Sequence, residues 1–326
     1  MIPTPAMKLE IKIACLQFAP EVGKVNENIA RAERILEKNA AKLRPPDDGK
    51  PLWLVLPEMA FSGYNFKSLE EITPYLEPSC AGPSTQWAKS TACKYGIYIT
   101  VGYPETVSQT AERRQDDISE DSKQHDAPQA NYNSTVTVSP AGEIIATYRK
   151  RFLYYTDETW ALEGDGCTSS YGFYNGNLGP LGDVAMGICM DINNYKFLSP
   201  WTAYEFANHV ISSNTPLVVL SMAWLTRMTK EELEVDKEKP DLETLSYWIE
   251  RFSPLRENTE GRQTVIVVAN RCGIEEDACY AGTSSVIRLD GRGAVEIFDL
   301  CGKNEERLMV VDLSTKPKYF LQRGAA

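Results

Sequence analysis

Apolar and polar residues alternate along this chain in two rhythms, one of period two and one of period three to four. Residues 9–18 (LEIKIACLQF) begin as apolar–polar alternation and turn continuously apolar, as a strand entering a buried sheet does. From 28 to 43 the apolar positions 29, 32, 35, 36, 40 and 43 share one helical face, and Pro45-Pro46-Asp47-Asp48-Gly49 ends that helix. Residues 52–56 (LWLVL) form the next strand and run directly into Pro57-Glu58. This β-α-β unit predicts a parallel strand pair. A helix follows over 83–95 with Gly96 as its stop, then a strand over 97–103. Residues 105–130 are polar and charged and read as a surface insertion, because strand pattern resumes at once as a hairpin over 132–139 and 144–148.

The second half repeats the scheme. The run 183–188 leads into Gly187-Ile188-Cys189-Met190-Asp191, then an Asn193-Asn194 turn, and a helical pattern that predicts a helix over 200–212. A strictly apolar strand over 216–222 ends at Ala223-Trp224-Leu225. Residues 226–241 read as a charged loop with a short helix, and 242–260 as a helix with Trp248, Ile249 and Phe252 on its stripe. Strands at 264–269, 285–289, 294–299 and 307–313 complete the chain. The expectation is a single α/β domain over 1–326, with a sheet covered by helices on one face and by a second layer on the other. No Walker or dinucleotide glycine motif is present.

Composition narrows the function. With 326 residues, 43% of them hydrophobic, the chain can bury a large core. A net charge of −11 argues against nucleic acid or a polybasic membrane surface as partner, and no apolar run reaches the length of a membrane span. The eight cysteines include no CxxC pair, and no secretory segment opens the chain, so reduced thiols in the cytoplasm, or also the nucleus, are expected. The two histidines are His125, in the polar segment, and His209, inside an amphipathic pattern. A Cys–His dyad is therefore poorly supplied and a multi-His metal site is not expected; an activated cysteine would need a carboxylate as its base.

Three residues stand at strand exits, where open α/β sheets place their chemistry. Cys189 reads either as a small buried apolar residue or as a nucleophile with backbone N–H groups nearby for an oxyanion. Glu58, among Met59, Ala60, Phe61 and Tyr64, reads either as a surface turn residue or as a base with its pKa raised by desolvation. Lys150, within YRKRFL (148–153), belongs either to a solvated edge or to an inward cation beside a thiolate.

Taken together and in this order, Glu58, Lys150 and Cys189 in the contexts LVLPE, YRK and GICMD resemble the nitrilase superfamily of carbon–nitrogen hydrolases. Within it, PEMAFSGYNF (57–66), YRKRFLYYTDETW (148–160), GICMDINNYKF (187–197), MAWL (222–225), VVANRCG (267–273) and AGTSS (281–285) resemble the fungal N-terminal amidases. The segment 105–130 has no counterpart in that resemblance, and 226–262 is shorter than the yeast-type enzymes carry. The resemblance implies a four-layer αββα sandwich and a Glu58–Lys150–Cys189 triad without metal or organic cofactor. It also implies deamidation of Asn or Gln at protein or peptide N-termini, feeding the N-degron degradation pathway. Cys189 would attack the carboxamide, Glu58 would move the protons, and Lys150 with the backbone N–H of Met190 would hold the oxyanion. Glu158 matches the superfamily's further acidic position by spacing, with Asp157 or Glu163 as alternatives. An acid near the pocket mouth would read the α-amine, Asp191 first and Glu163 second, although a turn or cap role fits Asp191 equally. Tyr64 and Trp224 are candidates for the side-chain slot or simply for the core. Pairing of subunits through a helix face, common in the superfamily, stays open. Two other functions remain: an amidase of the same superfamily acting on a free small amide, carbamoyl compound or nitrile, and a non-catalytic module that binds N-termini.

Overall fold

The computed structural model describes residues 9–44, 48–108, 129–165, 172–257 and 261–321. Two seven-stranded sheets stack face to face. In the first, Lys12–Gln17 lies between the antiparallel Arg307–Asp312 and the parallel Leu52–Val55. Tyr98–Ser108, Gln129–Val138 and Ile144–Arg149 then follow in order, and the short Glu77–Pro78 pairs with Tyr98–Ser108. In the second sheet, Asp183–Ile188, Leu217–Met222 and Thr264–Asn270 are parallel neighbours, with Tyr174–Asn177 on one flank. Ser285–Leu289, Val295–Leu300 and Tyr319–Leu321 extend the other flank.

The period-two pattern explains the stacking. Ile13, Cys15, Trp53 and Val55 point into one cluster with Val184, Ile188 and Val218 of the opposite sheet. Their neighbours Ala14, Leu16, Leu52 and Leu54 point the other way, against Ala32 and Leu36 of the helix Val25–Lys38 and Trp87 and Ala88 of the helix Pro83–Tyr95. On the second sheet, Glu205–Ser212 and Leu242–Arg251 contribute Phe206, Val210, Leu245 and Trp248. The layers are helix, sheet, sheet, helix, as the resemblance implies. Gly187 is required here, since a Cβ would lie 2.8 Å from the Phe206 ring.

Several boundaries differ from the expectation. The helix expected over 200–212 starts only at Glu205, because Tyr204 takes a left-handed φ of 44°. Ahead of it, Tyr195–Phe197 and Trp201–Ala203 are single 3₁₀ turns, not a long helix. The helix expected over 242–260 ends at Arg251, and Ser253–Arg256 is a separate turn opened by Pro254, which has no N–H to continue the ladder. Strand pairing runs out to Ser108 opposite Gln129, so 105–108 and 129–130 belong to the sheet. The rest of the expected insertion, with His125, lies outside the described residues, as does Cys167. Among the described residues no helix is long and apolar enough to cross a membrane.

Candidate active site

Each of the three strand exits delivers its side chain to one place. Beyond Leu52–Val55 the chain keeps its ladder for one more bond, Leu56 N–H to Thr100 O at 2.9 Å, before Pro57 and Glu58. Gly102 on the neighbouring strand permits this approach, because a Cβ there would sit 2.8 Å from Glu58 Cα and 2.7 Å from Met59 N. Lys150 follows Ile144–Arg149, and its N–H donates to Asn133 O at 2.8 Å, which keeps it in sheet register. Cys189 follows Asp183–Ile188 and takes φ 44°, a left-handed conformation that costs a residue with a Cβ about 1–2 kcal/mol. The chain turns sharply there into the 3₁₀ turn Cys189–Ile192, a strained placement of the kind found at functional sites.

Asp191 holds that turn in place. Its Oδ2 accepts from the Ile188 N–H at 2.7 Å and the Tyr148 hydroxyl at 2.8 Å. Its Oδ1 accepts from the Arg151 and Phe152 N–H groups at 3.1 and 2.8 Å. Burial pushes its pKa up to about 6, against the pull of the Ile188, Phe152 and Tyr148 donors. Fully buried and taken up by four donors, Asp191 does not line the cavity, which corrects its expected part as the reader of an α-amine. Its carboxylate ties the cysteine turn to the segment after Lys150. Asp191→Asn would face an amide NH₂ toward backbone donors; it should cost about 1.5–3 kcal/mol in thermal or urea unfolding and leave KM nearly unchanged.

The charges form one buried cluster. Lys150 Nζ donates to Glu58 Oε1 and to Asp157 Oδ2, both at 2.6 Å, and all three side chains are fully buried. Asn133 Nδ2 bridges the two carboxylates, at 2.7 Å to Glu58 Oε1 and 2.9 Å to Asp157 Oδ1. The second oxygen of Glu58 accepts from the Ala223 N–H at 2.7 Å, and Asp157 Oδ2 also accepts from the Tyr154 N–H at 3.0 Å. Two of the three N–H bonds of the lysine are thus taken by carboxylates.

Burial raises the pKa of Glu58 despite the Lys150 ammonium beside it. Burial works against protonation of Lys150, but Asp157 and Glu58 outweigh it and the lysine stays charged. Burial and then the Glu58 charge push the Cys189 thiol far up, against Lys150 and the Ala223 N–H. The resting site therefore holds a neutral thiol, a lysinium, and a carboxylate with raised proton affinity.

Other expected residues fall elsewhere. Glu158, expected by spacing to support Lys150, is 39% exposed and pairs with Lys196 at 3.4 Å; Asp157, one residue earlier on the 3₁₀ turn Asp157–Thr159, faces inward instead. Glu163 accepts the Tyr195 hydroxyl at 2.7 Å, pairs with Arg151 at 3.4 Å, and does not line the cavity. Tyr64 and Trp224 do line it. Sequence reasoning missed Asn133 and the carboxylates of the segment after Trp224. A signal for Asn133 exists: it is a polar residue at a fully buried position of the strand Gln129–Val138.

Above the cluster opens a cavity of about 340 Å³, with Cys189 and Met190 among its lining and Tyr64, Tyr154, Trp224, Tyr247 and Phe197 around it. Two carboxylates border it. Asp241 is buried and accepts from the Thr226 and Thr244 hydroxyls at 2.7 Å each, and Glu243 is exposed and pairs with Arg227 at 2.9 Å. No group of three or more His, Cys, Asp or Glu gathers at metal-binding distance among the described residues.

Comparison with known proteins places this arrangement. A family profile described as carbon-nitrogen hydrolase matches residues 12–202, a stretch containing Glu58, Lys150 and Cys189. The protein N-terminal amidase of Schizosaccharomyces pombe is 36% identical over 299 residues, covering 87% of this chain and 93% of that one. The protein N-terminal amidase of Saccharomyces cerevisiae is 31% identical over 67% of this chain, which spans 45% of that relative. A crystal structure of an N-terminal amidase with an Asn-Glu-Ala peptide superposes with a TM-score of 0.73 at 23% identity, over 92% of this chain and 98% of that one, and shows the shared fold. With more than half of its length matched by the profile and an end-to-end relative above 30% identity, the chain belongs to the carbon–nitrogen hydrolase family.

Proposed function

We propose that this protein is a thiol-dependent amidohydrolase that converts Asn or Gln at the N-terminus of a peptide or protein to Asp or Glu and releases ammonia. The observation that carries this reading is the 36% identity to the fission-yeast N-terminal amidase, which extends over nearly the whole of both chains. The cavity supports it: Cys189 lies in its lining, and the exposed carboxylate of Glu243 at its border suits an α-ammonium. New Asp and Glu N-termini would feed an N-degron pathway, in the cytoplasm or also in the nucleus.

The chemistry follows from the geometry. Glu58 accepts the thiol proton as Cys189 Sγ attacks the side-chain carbonyl carbon, and the proton passes to the leaving ammonia. Lys150 and the backbone N–H of Met190 hold the tetrahedral oxyanion, each donor worth about 3–4 kcal/mol in comparable sites. Water, deprotonated by Glu58, then hydrolyses the thioester. Asp157 and Asn133 keep Lys150 and Glu58 aligned throughout.

The test is ammonia release from four matched peptides beginning with Asn, Gln, N-acetyl-Asn and Gly-Asn. Turnover of the first two alone is expected. Equal turnover of the acetylated peptide, or turnover only of free small amides, would replace this reading with a general amidase. A pH profile of kcat/KM adds a second check. Glu58 acts as its carboxylate and burial raises its pKa, so the acidic limb should fall above the ordinary glutamate value of 4.5.

A further inference from the structure

One buried charged cluster takes no part in the chemistry above. Glu275, on the short hairpin strand Ile274–Glu275, is 4% exposed and fully satisfied. Its carboxylate accepts from the Arg271 guanidinium, from the Tyr280 hydroxyl at 2.5 Å, and from the backbone N–H groups of Tyr64 and Asn65 at 3.2 and 2.9 Å. Arg271 is itself fully buried, lies over the Tyr280 ring at 3.9 Å, and donates to Pro20 O at 2.6 Å. The loop 61–66 is thus held by a fixed anion, and Gly63 at φ 80° is what admits it, since a Cβ there would lie 2.8 Å from Glu275 Oε1.

That loop carries Tyr64 to the site. The Tyr64 hydroxyl donates to Asp157 Oδ2 at 3.3 Å, on the same oxygen that Lys150 uses, and the lysine Nζ lies 5.6 Å from the Tyr64 ring centre. The same hairpin also pins the opposite wall, through Ala281 N–H to Trp224 O at 2.9 Å and Thr226 N–H to Cys279 O at 2.9 Å.

We propose that Glu275 is a positioning residue of the active site, which sets the orientation of Lys150 through the Tyr64 backbone and the Tyr64 hydroxyl on Asp157. The proposal rests on the amidase reading for its substrate, but not for its geometry. A buried anion tied to two backbone N–H groups fixes a loop more firmly than side-chain packing does, and a displaced Asp157 would leave Lys150 misaligned for the oxyanion.

A double-mutant cycle on kcat tests it. Tyr280→Phe removes one hydroxyl donor to Glu275 and retains the ring, so it folds even where Glu275→Gln fails to. Tyr280→Phe and Tyr64→Phe should each lower kcat for an Asn-peptide about fivefold, with KM within about twofold, and the double variant should fall no further than Tyr64→Phe alone. Equal factors for Tyr280→Phe in both backgrounds, or a lowered Tm with kcat intact, would overturn the proposal and leave Glu275 a stabilising residue only. The same cycle is read without any substrate as the rate of Cys189 alkylation by iodoacetamide, followed by mass spectrometry. Wild-type protein inert toward Asn- and Gln-peptides, yet non-additive in alkylation, would refute the substrate reading and retain the positioning role; additive alkylation would refute the positioning role whatever the substrate.

Discussion

Cys189→Ala is expected to lower ammonia release from an Asn-peptide by at least about 10⁴-fold, because no other cysteine lines the cavity among the described residues. The described cysteines other than Cys189 do not replace it: Cys15, Cys272 and Cys301 are buried in the core, and none of the rest lines the cavity. The thiol is nearly buried and makes few polar contacts, so the variant should unfold within about 1 kcal/mol of the wild type. Binding should survive, since the cavity walls and the carboxylates Asp241 and Glu243 are untouched. A variant that keeps turnover would show that the chemistry lies elsewhere; one that loses turnover only by unfolding would show up in the same thermal melt.

Lys150→Met should be the most damaging change to stability, and it should lower the rate as well. Lys150 is the cation between Glu58 and Asp157, all three fully buried. Without it two carboxylates face one another through Asn133 alone, and one of them must take up a proton to stay inside. Removing one partner of such a buried cluster costs about 3–5 kcal/mol. The rate falls as well, because the variant loses an oxyanion donor and the charge that keeps Glu58 aligned, so ammonia release should drop by at least about 10³-fold. Glu158→Gln is the contrast. Its carboxylate is part-exposed and pairs with Lys196, so turnover and Tm should change little, within about 0.5 kcal/mol. Asp157→Asn, one residue away, should behave like a milder Lys150→Met. This pair of variants separates the inward acid from the outward one.

Much of the fold was legible because its inner strands are short, nearly continuous apolar runs. Leu52–Val55, Asp183–Ile188 and Leu217–Met222 each announce themselves in this way, and each ends beside the site. Glu58 and Cys189 stand just beyond two of these runs, and Lys150 follows the hairpin strand Ile144–Arg149, so all three were placed at strand exits. Finer placement was harder, for a physical reason in each case. On a 3₁₀ turn adjacent residues point about a third of a turn apart, so the step from Asp157 to Glu158 is enough to carry a side chain from inside to outside, and spacing alone cannot settle it. Asp191 lies two residues from Cys189, which suggests a substrate contact. Its carboxylate is instead taken up by backbone N–H groups from two chain segments, a tertiary arrangement that local pattern does not show. One helix start was displaced by a left-handed residue, Tyr204, and one helix end by an internal proline, Pro254. Asp241 and Glu243 stand at the start of a helix that the periodicity does place, but that pattern does not show that its first turn borders the cavity.

The most direct test of the account is the partitioning of its thioester. An Asn-starting peptide and the same peptide starting with Asp β-methyl ester are turned over with increasing hydroxylamine, and the ratio of hydroxamate to acid is measured for each. If both pass through one acyl group on Cys189, the two ratios are equal at every hydroxylamine concentration, and Cys189→Ala yields neither product. Different ratios for the two leaving groups, or acid without hydroxamate from both, would mean that water attacks the amide directly and that Cys189 is not the nucleophile.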